Sequence, residues 1–232
     1  AASAASRSGP CVASHRATLH QRVTWTNHTK APLNSLAFNF YPNYQVPRRD
    51  YLALAKTLEM LRLQQSIGID RGGRAGVITG AKLTALGKKT HDHNLNYEYD
   101  DTNPTTFRFP LPEALAPGET VVVELTCEFY LPNKQGRLGH WKDVTFLTNA
   151  FPVLAFCDDT GWRPMPFIPW HQPFFNEAGV WRATVTLPEA EVLATSPRIK
   201  SEAKLDGGRK RVELDTFVGR DFPVLCSTRY RE

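Results

Sequence analysis

The sequence predicts an all-β fold: a large antiparallel β sandwich or saddle-like curved sheet with one short inserted helix. Three observations carry this. Short runs of alternating apolar and polar residues recur along almost the whole chain. Clusters of Pro, Gly, Asn and Asp separate them. Only one segment has helical spacing of its apolar residues. The 232 residues, 41% of them hydrophobic and 22% charged, suffice for one β domain whose core needs no disulfide or metal. The net charge of +5 is spread over interspersed Lys, Arg, Asp and Glu, so no nucleic-acid partner is expected. Residues 1–13 are small and polar and read as a flexible lead-in, with the domain proper at 14–232. The longest apolar runs are far shorter than the roughly 20 residues a bilayer span needs, so no membrane span is expected.

The first strand runs from Arg16 to Thr26. Ala17, Leu19, Val23 and Trp25 share a face on which Gln21 is the polar exception. A turn at residues 27–32 leads to a second strand bearing Leu36, Phe38 and Phe40, and the two are expected to pair as an antiparallel hairpin. Asn27-His28-Thr29 also matches a glycosylation sequon. The helix is placed at 49–65, where Tyr51, Leu54, Ala55, Leu58 and Leu61 form an apolar stripe. Residues 68–76 form a glycine-rich loop. No helix follows it, so it does not read as a phosphate cradle.

From residue 76 onward strand follows strand, with candidates at 76–86, 94–99, 104–109, 120–130, 143–148, 152–157, 180–187, 198–205, 210–217 and 223–230. The clearest alternation is Val121, Val123, Leu125, Cys127 and Phe129, entered through a Pro117-Gly118 turn. Asp206-Gly207-Gly208 marks a hairpin, and Arg209, Lys210 and Arg211 beside it read as a solvated turn. The four cysteines are widely spaced, without a Cys-x-x-Cys pair, and read as reduced core thiols.

No catalytic set is visible. None of the seven His is followed by Glu, so the His-Glu-x-x-His zinc helix is absent. His91-Asp92-His93 offers donors but no third ligand at close spacing. Asp158-Asp159 reads as a turn rather than a proton-sharing pair, because adjacent strand residues face opposite ways. No Gly-x-Ser-x-Gly elbow occurs.

Residues 130–178 carry three of the five Trp together with a cluster of Pro, which builds a fixed, irregular surface suited to contacts. Trp141, Trp162, Trp170 and His171 are its candidate contact residues. Here the run HWKDVTFLTNAFPVLAFCDDTGWRPMPF, then NEAGVWRATVTLP, then RDFPVLCSTRY resembles the N-terminal domain of the aminopeptidase N-like (gluzincin) zinc metallopeptidases. The opening RVTWTNHTKAPLNSLAFNFYPN and the segment PLPEALAPGETVVVELTCEFYLP fit the same domain, so the resemblance spans roughly 16–230. The helix at 49–65 is not part of that pattern, and the family's Gly-x-Met-Glu-Asn motif is absent.

The resemblance implies a non-catalytic, saddle-like β domain that packs on a downstream thermolysin-like domain of the same polypeptide. That missing domain would hold the zinc. The β domain would help to shape the site for a peptide substrate, with Thr148, Asn149 and Ala150 as the candidate substrate-binding residues. The residues alone leave a second expectation open: a free-standing protein- or carbohydrate-binding β module that uses the Trp-rich segment.

Overall fold

Alternating burial makes strands of most of this chain. In the computed structural model, residues 3–8 (backbone only), 15–62, 74–100, 103–134, 136–166 and 175–231 are described. The N-terminal part holds β1 (Ser3–Ser8), β2 (Arg16–Thr26), β3 (Leu33–Asn39) and the helix α1 (Tyr51–Met60). Next come β4 (Gly76–Leu86), β5 (Lys89–Asn94), β6 (Glu98–Asp100), β7 (Asn103–Leu115) and β8 (Thr120–Tyr130). Short strands follow: β9 (Leu138–Trp141), β10 (Val144–Leu147), β11 (Val153–Leu154), β12 (Phe156–Asp158) and β13 (Gly161–Arg163). The chain ends in β14 (Gly179–Pro188), β15 (Val192–Thr195), β16 (Ile199–Leu205), β17 (Arg209–Leu214), β18 (Phe217–Gly219) and β19 (Val224–Ser227). The fold is all-β with a single short α-helix among the described residues.

The largest sheet has nine strands in the order β16-β17-β14-β1-β2-β8-β4-β5, with β18 also paired to β14. Its pairings are antiparallel except β1 with β14. Ser3–Ser8, read from sequence as part of a flexible lead-in, is thus a strand. Two four-stranded sheets, β11-β3-β7-β6 and β15-β19-β10-β9, and the β12-β13 hairpin complete the set.

The expected hairpin of the first two strands is not formed. β2 pairs with β8 and β1, whereas β3 pairs with β7 and β11 in another sheet. The reason is the core. The apolar face of β2, β4 and β8 meets that of β3 and β7, and a flat hairpin would put both faces in one layer. Phe38 stands edge-on to Phe109 at 5.5 Å, and Phe40 contacts both Phe107 at 5.6 Å and Phe129 at 6.0 Å. The alternation in β8 is realised: Val121, Val123, Leu125, Cys127 and Phe129 are all buried, while Glu124 and Glu128 are exposed.

The helix is shorter than its sequence pattern, entered from a 3-10 turn at Arg48–Asp50. Leu54 and Leu58 are buried in a small cluster with Val46, Tyr51 and Ala55, apart from the main core. Arg62 turns left-handed (φ 56) just past its end, which leaves Leu61 and Met60 exposed. The glycine-rich loop at 68–76 lies outside the described residues up to 73. The Gly207-Gly208 hairpin forms as expected, with both glycines at positive φ. Lys210 beside it is not solvated but buried, ion-paired with Glu202 at 2.9 Å. Cys127 and Cys226 are buried and form no disulfide, Cys157 is half-buried, and Cys11 lies outside the described residues. Burial, then the neighbouring Asp158, pushes the Cys157 thiol up to about 11, which leaves little thiolate at neutral pH.

Candidate functional site

β10 ends at Leu147, and the three candidate substrate-binding residues turn the chain back into the core. Both the amide N and Oγ1 of Thr148 donate to the carbonyl of Arg137 at 2.8 Å. Asn149 adopts a left-handed conformation (φ 53), which its short polar side chain tolerates. Its N–H donates to Asp221 Oδ2 at 3.0 Å, and its Oδ1 accepts from Arg137 Nη1 at 3.1 Å. Ala150 is fully buried in the main core and offers no surface for a ligand. Burial pushes the Asp221 carboxyl above the usual range, while the N–H groups of Asn149 and Phe222 and the charge of Arg137 pull it back. Burial, reinforced by Asp221, pushes the phenol of Tyr41 well up. The segment is therefore locked by a polar node of Arg137, Asn149 and Asp221, in which the Asn149 carbonyl oxygen is already engaged.

The Trp-rich segment divides. Trp141 is half-buried at the end of β9, opposite Val144. Its neighbour His140 stacks on His15 at 3.5 Å, and burial followed by the His15 charge holds the His140 imidazole below its ordinary range. Gly139, just before His140, is obligatory: a Cβ there, at φ 148, would sit 2.6 Å from the Pro132 carbonyl oxygen. Trp162 donates Nε1–H to the Ser35 carbonyl at 2.7 Å and packs on Trp25 at 5.0 Å, so much of its ring serves the interior. Trp170 and His171 lie outside the described residues.

Asp158 accepts from the Thr160 N–H and hydroxyl and from Arg163 Nε, and these donors, Thr160 first, hold its carboxyl low. Asp159 pairs with Lys30 at 2.8 Å, so the two aspartates part as their alternation predicts. In the His91-Asp92-His93 run, Asp92 pairs with Lys82. Among the described residues no three His, Cys, Asp or Glu side chains converge as a metal site, so the donors present do not fit zinc.

The sequon asparagine is likewise unavailable. Asn27 is fully buried, and its Nδ2 donates to the carbonyls of Ala31 at 3.0 Å and Leu115 at 2.9 Å. Its Oδ1 accepts from the Thr29 N–H and hydroxyl at 3.0 and 2.8 Å. In the folded chain it is a turn clamp with no free N–H for a glycan.

A cleft that the motifs do not mark opens between β2, the start of β14 and the Pro152–Leu154 segment, with a volume of about 190 Å³. Trp25, Trp181, Val23 and Leu154 give it apolar walls, Glu177 stands exposed beside it, and Gln21 lines it. Gln21 Nε2 donates to the Pro152 carbonyl at 2.9 Å, while its Oε1 is buried without a partner. The only sequence signal for this place was Gln21 as the polar exception on an apolar face.

No family model and no curated protein matches the sequence. Solved structures do match. A mutant of the M1 zinc metallopeptidase from Deinococcus radiodurans superposes with a TM-score of 0.53 at 13% identity, over 97% of this chain and 41% of that one. The M1 zinc metallopeptidase itself gives 0.53 at 12% identity, and the mutant bound to a Tyr-Ser-Ala substrate gives 0.52 at 12%, each with the same coverage. The chain thus spans about two fifths of the length of these neighbours, and at such identities the likeness is one of fold. Among the described residues no helix is long and apolar enough to cross a membrane.

Proposed function

We propose that this chain is the non-catalytic N-terminal β domain of a zinc metallopeptidase-like protein, with Ser3–Ser8 counted as a strand of its largest sheet. It packs against a thermolysin-like domain that carries the zinc and helps to shape the site for a peptide substrate. The observation that carries this reading is the coverage: 97% of this chain is matched against only 41% of the M1 neighbours, which leaves most of those enzymes without a counterpart here.

The node at Thr148 and Asn149 is the part offered to the substrate. Because Asn149 Oδ1 is bonded to Arg137, an approaching ammonium must compete with that guanidinium, whereas Nδ2 remains as a donor for a substrate carbonyl. The test has two arms. Reading the gene past Glu232 should reveal a His-Glu-x-x-His helix, and its absence overturns the proposal. The isolated chain, equilibrated with zinc and desalted, should retain no stoichiometric metal and hydrolyse no aminoacyl p-nitroanilide. A chelator-sensitive turnover in it overturns the proposal equally.

A further inference from the structure

We propose that the cleft between β2 and the start of β14 binds an organic cation: a primary ammonium or guanidinium on a short apolar stem. The inference rests on the cleft alone and not on the docking of any further domain. Gln21 is only 4% exposed, and its orientation is fixed because Nε2 must face the Pro152 carbonyl. Turning the amide over would set oxygen against oxygen. The unpartnered atom is therefore the oxygen, an acceptor awaiting a donor.

The walls narrow the choice of donor. Trp181 commits its indole N–H to the Gly219 carbonyl at 3.0 Å, so toward the cleft it offers ring rather than donor. Trp25 is held by edge contact with His28 and by Trp162. Indole rings attract cations through their negative faces. Glu177 adds a carboxylate, and no Lys or Arg is among the described residues that line the space. Acceptor, aromatic faces and carboxylate all favour a positive charge with N–H groups over a neutral alcohol. At about 190 Å³ the cleft is smaller than the roughly 300–1,000 Å³ of drug-sized pockets. It suits a side-chain-sized group, either a free amine or a Lys or Arg side chain on a peptide.

The test is a fluorescence and calorimetric titration of the 232-residue chain with n-butylammonium, n-butylguanidinium, butan-1-ol and N-acetylarginine amide. Saturable quenching by the cations is expected, with butan-1-ol roughly tenfold or more weaker. Tighter binding of the capped arginine than of butylguanidinium assigns the site to peptide side chains; the reverse assigns it to free amines. Glu177→Gln, a near-isosteric change on an exposed side chain, should weaken cation binding about threefold or more. Gln21→Met, checked for cooperative unfolding well above the titration temperature, should weaken it roughly tenfold.

No saturation, an alcohol that binds as well as the cations, or full cation affinity in Glu177→Gln overturns the proposal. So does full affinity in Gln21→Met, the result expected if an ordered water satisfies the buried oxygen.

Discussion

Asn27 and Gln21 are buried side-chain amides close together along the chain, one in the turn after β2 and one within it, and they have opposite characters. Asn27 engages each of its two polar atoms in two hydrogen bonds and ties residues 27–31 to Leu115. Gln21 makes one hydrogen bond and leaves its oxygen unmatched beside a cleft. Burial alone does not distinguish them; satisfaction does. A saturated buried amide is structure. A half-saturated one in the wall of a cleft is an invitation to a ligand.

Four measurements can break or sharpen that contrast. The largest effect is expected at the saturated site. Asn27→Ala strands the buried Leu115 carbonyl and the Thr29 N–H, and should cost about 2–4 kcal/mol in urea denaturation. A loss below 1 kcal/mol would mean that water replaces the clamp.

Second is Trp162→Phe. It keeps most of the contact with Trp25 but leaves the Ser35 carbonyl unpaired, at an expected cost of about 1–2 kcal/mol. An unchanged unfolding midpoint would return Trp162 to the role of a surface contact residue.

Third, Gln21→Met exchanges a half-satisfied amide for an apolar side chain of similar length. It strands the Pro152 carbonyl but also removes the unmatched oxygen, so the net loss should be about 1 kcal/mol, and a loss as large as that at Asn27 would erase the distinction.

The smallest effect lies at the Asn149 node. Burial raises the folded-state pKa of Asp221 above its unfolded value, so the native state binds its proton more tightly. That contribution is fully present below the unfolded pKa and is lost as pH rises through the folded pKa. Asp221→Asn keeps an acceptor for the Asn149 N–H and removes this loss. Chemical denaturation at several pH values should therefore show the variant gaining on the parent from acid toward neutral pH. A gap that shrinks in that direction would show that pairing with Arg137 outweighs burial.

Much of the fold was legible because strand signals are local. The alternation of Val121 to Phe129, the Gly207-Gly208 turn and the turn that Asp158 makes with Thr160 and Arg163 are each set by residues within a few positions. The failures share one cause, a partner distant in sequence. The turn at 27–32 was legible, but not that β2 and β3 leave it for different sheets, because β8 and β7 supply their partners. The sequon at Asn27 hid a clamp whose far end is Leu115. Trp162 looked like a contact residue because its indole acceptor, Ser35, lies 127 positions away. The helix was found, but its stripe predicted Leu61 inside, and only a cluster as small as that around Leu54 and Leu58 was there to receive it. Gln21 was noticed and its cleft was not, since Trp181 and Glu177 come to it from the other end of the chain.

The separation of β2 and β3 into facing layers also sets an order of events during synthesis. The two strands do not hydrogen-bond to each other, and the strand that zips along the edge of β2 left open by β1 begins only at Thr120. At about 5–20 residues per second, the apolar edge of β2 waits several seconds for its mate and stays open to wrong partners meanwhile. Maturation of this polypeptide should accordingly be slow, and sensitive to chaperones that shield the nascent Leu19, Val23 and Trp25.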